Sequence, residues 1–164
     1  MKRWVSKVSQ NDKIRRVDQK NYFDQIEEGH VFHFGQYILE REEIICFARR
    51  WDPQPFHIDE EAAKQSIFGG LTASSLQLFA ICTKLFANYK PPFAILAMLG
   101  KDELRIPSPA HVGDTLIYDS RCISSRPSSS KPDRGVIVLD DQVMNQSGDI
   151  VLSQKVTLLL AKSP

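Results

Sequence analysis

Asp52 and His57 stand five residues apart in the stretch Trp51-Asp52-Pro53-Gln54-Pro55-Phe56-His57. Two prolines restrict the backbone between them, so a carboxylate and an imidazole can face one cavity with little conformational freedom left to lose. That pair suits water activation: an imidazole titrating near neutrality takes a proton from water, and a neighbouring carboxylate orients the water or handles the second proton. On spacing alone such a pair is more often a helix-end or turn aspartate and an ordinary packed histidine. A second chemical feature follows in Gly69-Gly70-Leu71-Thr72-Ala73-Ser74-Ser75. A helix starting here would aim unpaired amide hydrogens and the positive end of its dipole at a developing oxyanion. The simpler role for Thr72 or Ser74 is to cap that helix.

The elements that must position these groups are legible in outline. Residues 31–39 have strand composition. Residues 40–51 open with Glu40, Glu42 and Glu43 and close with Arg49 and Arg50, the charge order that suits a helix dipole. Asp52-Pro53-Gln54-Pro55 stops that helix and predicts a rigid loop. Asp59 can cap a short helix over residues 60–65, and Phe68-Gly69-Gly70 supplies a break. Residues 72–89 form the longest helical candidate, apolar over most of its circumference, with Ser74, Gln77, Lys84 and Asn88 as a narrow polar stripe. Such a helix is expected at the centre of the fold, wrapped by other structure. Four long strands are predicted over residues 94–106, 115–126, 135–145 and 150–161. The last two are joined by the turn Gln146-Ser147-Gly148-Asp149, and residues 126–134 form a loop that buries nothing. The result is an α+β arrangement whose sheet can curl around the long helix.

Bulk properties set the limits. A chain of 164 residues that is 42% hydrophobic fits one domain over residues 21–164, preceded by a basic N-terminal arm over residues 1–20. A formal net charge of +1 gives no sign of a nucleic-acid binder. No apolar run approaches the roughly 18 residues of a membrane span. Cys46, Cys82 and Cys122 are odd in number, widely spaced and set among residues that read as buried, which argues against disulfides and fits a reducing cytoplasm. His30, His33 and His111 lack the spacing of a metal site, so no metal is expected. Lys101, Arg105 and Arg126 could meet a phosphate, as any surface cation could, and are assigned no role.

The string Phe47-Ala48 through Asp52-Pro53-Gln54-Pro55-Phe56-His57-Ile58-Asp59, then Ala62-Ala63, then Phe68-Gly69-Gly70, resembles the signature of MaoC-like dehydratases and R-specific enoyl-CoA hydratases. Tyr22-Phe23, Glu28-Gly29, Asp102-Glu103-Leu104-Arg105, Pro109 and Gly113-Asp114-Thr115 extend the likeness over most of the chain. The resemblance implies a hotdog fold, a curved antiparallel sheet around a long central helix. It further implies hydration of an enoyl thioester, or dehydration of the 3-hydroxyacyl form, with Asp52 and His57 activating water. Gly70, Ser74, Ser75 and Phe56 would form the oxyanion and substrate-binding surface. The substrate would be a CoA or acyl-carrier thioester, with no further cofactor, and the assembly a homodimer joined sheet to sheet. Where the family has a His-Gly pair at the helix start, this chain has Ser74-Ser75, which keeps the amide and adds a side chain. A hotdog thioesterase and a non-catalytic acyl-thioester-binding subunit are the competing functions.

Overall fold

The computed structural model describes residues 20–164, so the expected N-terminal arm lies, but for Lys20, outside the described residues. After a short 3-10 turn at Phe23–Gln25 the order is β1 (Val31–Ile38), α1 (Arg41–Trp51), α2 (Pro55–Ile58), α3 (Glu60–Gln65), α4 (Ser75–Asn88), β2 (Ile95–Arg105), β3 (Thr115–Pro127), β4 (Arg134–Met144) and β5 (Ile150–Ala161). The strands form one antiparallel sheet in the order β1-β3-β4-β5-β2. The four helices all fall between β1 and β2, the two edge strands, and α4 packs on the inner face. This is the hotdog architecture expected from the sequence.

Alternation of side chains builds that inner face. In β4 every second residue is buried, and Ile137, Leu139 and Val143 meet Leu116 of β3 and Leu152, Leu158 and Leu160 of β5. The buried stripe of α4, Leu78, Ile81 and Cys82, closes the core from above. Each such aliphatic side chain contributes about 1.5–3 kcal/mol on burial. The β4–β5 hairpin turns through Gly148, whose φ of 86° lies in the left-handed region that glycine tolerates. Gly135 is required for a different reason: the Phe23 ring occupies the place of its missing Cβ, with ring carbons from 2.2 Å.

Three sequence expectations are adjusted. The turn after Asp52 is not a bare loop, because Pro55 starts the helical turn α2, its missing amide hydrogen costing nothing at the first helical position. Helix α4 begins at Ser75, three residues later than expected, since residues 71–73 run extended and pair with 110–112 through Ala73 N–H to Ala110 O at 2.8 Å. The polar stripe on α4 is divided, with Lys84 and Asn88 exposed and Ser74 and Gln77 inside. Ser74 and Gln77 are buried whereas Leu76 is 45% exposed, and Ser74 is drawn in by its contact with Asp52 at the end of α1. Cys46 is exposed on α1, while Cys82 and Cys122 are buried, and all three are free thiols.

Candidate active site

Helix α1 ends at Asp52, whose N–H still donates to Ala48 O at 2.8 Å while its backbone leaves helical geometry. The Gln54 amide returns to Asp52 O at 2.8 Å, and the His57 amide to Gln54 O at 2.9 Å. These short-range bonds, with Pro53 and Pro55 between them, hold both side chains on one wall. His57 is 7% exposed. Its Nδ1 lies 2.8 Å from the carbonyl oxygen of Thr72. A carbonyl only accepts, so Nδ1 carries the ring hydrogen and Nε2 of the neutral ring presents its lone pair. That Nε2 faces Asp52 Oδ2 at 3.5 Å, longer than a hydrogen bond. Two acceptors side by side leave a position for a water or hydroxyl that donates to them. The Asp52 side chain is about a quarter exposed, which gives that position access from outside.

Ser74 joins this pair across 22 residues of sequence: its hydroxyl donates to Asp52 Oδ2 at 2.6 Å. Ser74 Oγ also accepts the Leu76 amide at 3.2 Å, so Ser74 is both the cap of α4 and the anchor of the carboxylate. Its proton is therefore directed at Asp52 and not at a ligand. The amides of Gln77 and Leu78 are satisfied by Ser74 O at 3.0 and 3.1 Å. The Ser75 amide has no acceptor among the described residues, and it points from the positive end of α4. Gly70 lies against His111, with Nδ1 3.7 Å from where a Cβ would stand. Phe56 packs on Phe68 with centroids 5.0 Å apart and edge-on to His57 at 4.5 Å, so it forms the apolar backing of the imidazole. The structure thus brings Asp52, His57 and Ser74 into contact, with the Ser75 amide one residue along the chain.

Sequence reasoning missed a second polar group. Asp141 of β4 is wholly buried and accepts from Tyr118 Oη at 2.7 Å, Ser120 Oγ at 2.7 Å and Gln154 Nε2 at 2.9 Å. Burial raises its carboxyl above the usual carboxylate value, against the opposing pull of those three hydrogen bonds and of Lys101. Burial beside this carboxylate likewise pushes the Tyr118 phenol well up and the Cys82 thiol to about 12, leaving both protonated and unreactive at neutral pH. Lys101 Nζ donates to Gln154 Oε1 at 3.1 Å and lies 5.5 Å from the centroid of the Phe79 ring. A cavity of about 250 Å³ opens beside this cluster, between the second half of α4 and the sheet, lined by Cys82, Phe86, Met98, Lys101, Tyr118 and Gln154 among others. The histidines outside the site are scattered. His33 pairs with Asp119 at 2.8 Å and His30 stacks on Phe32, and among the described residues no group of side chains could hold a metal ion.

A two-edged sheet wrapped on a single long helix, with an Asp/His wall at the helix start, defines the class as a hotdog-fold domain with a candidate acid/base site. Comparison with known proteins narrows this. Residues 16–136 match the MaoC like domain family, and the chain belongs to that family. It is similar to the crystal structure of a MaoC-like dehydratase from Rhodospirillum rubrum, with 34% identity, a TM-score of 0.82, and coverage of 87% of this chain and 98% of that one. The R-hydratase PhaJ1 from Pseudomonas aeruginosa shares the fold at 20% identity and a TM-score of 0.70, over 88% of each chain. An uncharacterized Bacillus subtilis protein, YdeM, is 38% identical over 63 residues, which span 38% of this chain and 45% of that relative. Among the described residues no helix is long and apolar enough to cross a membrane.

Proposed function

We propose that the protein hydrates an enoyl thioester, or dehydrates the corresponding 3-hydroxyacyl thioester, carried by CoA or an acyl carrier. The observation that carries this reading is His57 Nε2 facing Asp52 Oδ2 at 3.5 Å, with Nδ1 held on Thr72 O, beside a helix start whose Ser75 amide has no acceptor among the described residues. A water between the two would give one proton to His57 Nε2 as its oxygen bonds to C3, with Asp52 accepting its other hydrogen. The C2=C3 electron pair moves toward the thioester carbonyl, whose oxygen the Ser75 amide would hold as an enolate. The imidazolium then returns the proton to C2, and the dehydration runs through the same groups in reverse. Donors already fixed by α4 need no reorganisation as charge develops, which is where such groups contribute most. No metal or redox cofactor has a part in these steps.

The assembly we propose is a homodimer. Strand β2 is a sheet edge that exposes Leu96, Leu99 and Leu104, a surface suited to pairing with a second copy. A cytoplasmic setting is consistent with the free thiols of Cys46, Cys82 and Cys122.

The test follows loss of the conjugated enoyl-thioester absorbance over a panel of trans-2-enoyl thioesters, with released thiol measured in parallel. Wild type should consume the enoyl group without releasing thiol. Asp52→Asn and His57→Ala should stay folded and each lose at least about a hundredfold in kcat, the general-acid/base share of such a reaction. Thiol release would instead mark a thioesterase, and binding without turnover a non-catalytic subunit; either result overturns the proposal.

A further inference from the structure

The cavity beneath α4 is apolar on most of its wall and polar at one place, and the hydratase mechanism uses none of it. Its apolar part is formed by Phe86, Met98, Val156 and Leu158. Its polar part is a ladder across the inner sheet face: Tyr118 on β3, Asp141 on β4, Gln154 on β5 and Lys101 on β2. Inward positions of this sheet are otherwise mostly apolar, among them Phe32, Phe34, Leu116, Ile137, Leu139 and Leu158. A carboxylate buried among them costs free energy that apolar side chains of the same size would not, so its retention asks for a reason.

The hydrogen-bond inventory shows which end of the ladder is open. Asp141 holds Tyr118, Ser120 and Gln154, and Gln154 in turn accepts from Lys101. Only one of the three ammonium donors of Lys101 is used on Gln154, and the others have no acceptor among the described residues. The ammonium is held between the Phe79 ring on α4 and Gln154 on β5, at the wall of the cavity. Cys82, on that wall, lies eight residues beyond Ser74, which is about 12 Å along the axis of α4. A thioester held at the Ser75 amide would thus lie one helix half away from a cation on the same helix flank.

We propose that Lys101, backed by Gln154 and Asp141, is a specificity-determining residue that selects acyl thioesters bearing a carboxylate at the distal end of the chain. This deepens the hydratase reading and rests on it for the position of the thioester. The apolar wall takes the methylene chain, and the ammonium of Lys101, exposed at the mouth of the cavity, pairs with the terminal carboxylate. Asp141 lies behind Gln154 and Tyr118, so it fixes the ladder without facing the ligand. A methyl terminus makes no such pair and leaves the ammonium to water.

The test measures equilibrium binding by calorimetry, using saturated acyl-pantetheine thioesters that cannot be hydrated, in pairs of equal chain length ending in methyl or carboxylate. Pantetheine is the arm common to both carriers, and binding is read whether or not the protein turns over an enoyl thioester. Wild type should prefer the carboxylate-ended member at one chain length by about threefold, or about 0.7 kcal/mol. Lys101→Met should abolish that preference while binding the methyl-ended ligand as before, and Lys101→Arg should restore most of it. A preference unchanged in Lys101→Met, no preference in wild type, or no binding by any member would overturn the proposal. If Lys101 only neutralised Asp141, Lys101→Met would lower the melting temperature without changing ligand choice, which also overturns it.

Discussion

Removing the hydroxyl of Ser74 separates two roles that the structure gives to one atom. Ser74 Oγ caps α4 through the Leu76 amide and donates to Asp52 Oδ2 at 2.6 Å. Ser74→Ala loses both contacts. The cap alone is worth about 1 kcal/mol, which in a domain of this size lowers Tm by about 2–4 °C. Ser74→Gly also loses the Asp52 contact, yet glycine at a helix cap costs only a few tenths of a kcal/mol. A hydrogen bond to a charged group contributes about 1.5–3 kcal/mol. If that energy holds Asp52 in its reactive orientation, kcat falls by roughly 10- to 150-fold in both variants. Because the Asp52 side chain is about a quarter exposed, water can replace the lost donor in part, so the lower end of that range is expected. The assay is steady-state hydration of an enoyl thioester together with thermal unfolding of the same preparations. The expected pattern is an equal loss of kcat in both variants with a larger loss of Tm in Ser74→Ala. A Ser74→Gly protein with kcat within about twofold of wild type would refute the anchoring role, leaving Ser74 as a cap alone.

Two further outcomes follow from the buried acid and the open edge. The Asp141 carboxyl is raised by burial, so the folded protein binds this proton more tightly than the unfolded chain does. Its contribution to stability is therefore full below the ordinary value of 3.8 and is lost as pH rises through the folded value. Asp141→Asn cannot titrate, so the stability difference between wild type and this variant, measured by denaturant unfolding across pH, should shift toward the variant as pH rises; a pH-independent difference would show that Asp141 binds its proton equally in the folded and unfolded chain and that burial does not raise it. On the β2 edge, Leu99→Glu places a charge on an exposed position of the proposed interface, and sedimentation should report a dimer for wild type and a monomer for the variant. An unchanged sedimentation coefficient would place the interface elsewhere.

How much of this was legible depended on range. The sequence by itself determined the local frame: α1 with its charges ordered for the dipole, the proline-bound step from Asp52 to His57, the Asp59 cap of α3 and the four long strands, because caps, prolines and side-chain alternation act over a few residues. It also pointed to the helix start at Ser74-Ser75, and a family resemblance carried by the Asp/His string pointed to the fold. Tertiary structure alone decided what those residues touch. The Ser74 contact with Asp52 and the His57 contact with Thr72 O join segments that no local signal relates, and they turn a plausible cap into an anchor and fix the imidazole tautomer. The four polar residues of the α4 stripe looked alike in sequence, yet Ser74 and Gln77 are buried while Lys84 and Asn88 are exposed, a division set by which part of the helix other elements cover. The Asp141 ladder draws one residue from each of four strands. Its only trace in the sequence is a polar residue at an inward position of each strand, and inward positions are known only once sheet register and the placement of α4 are set.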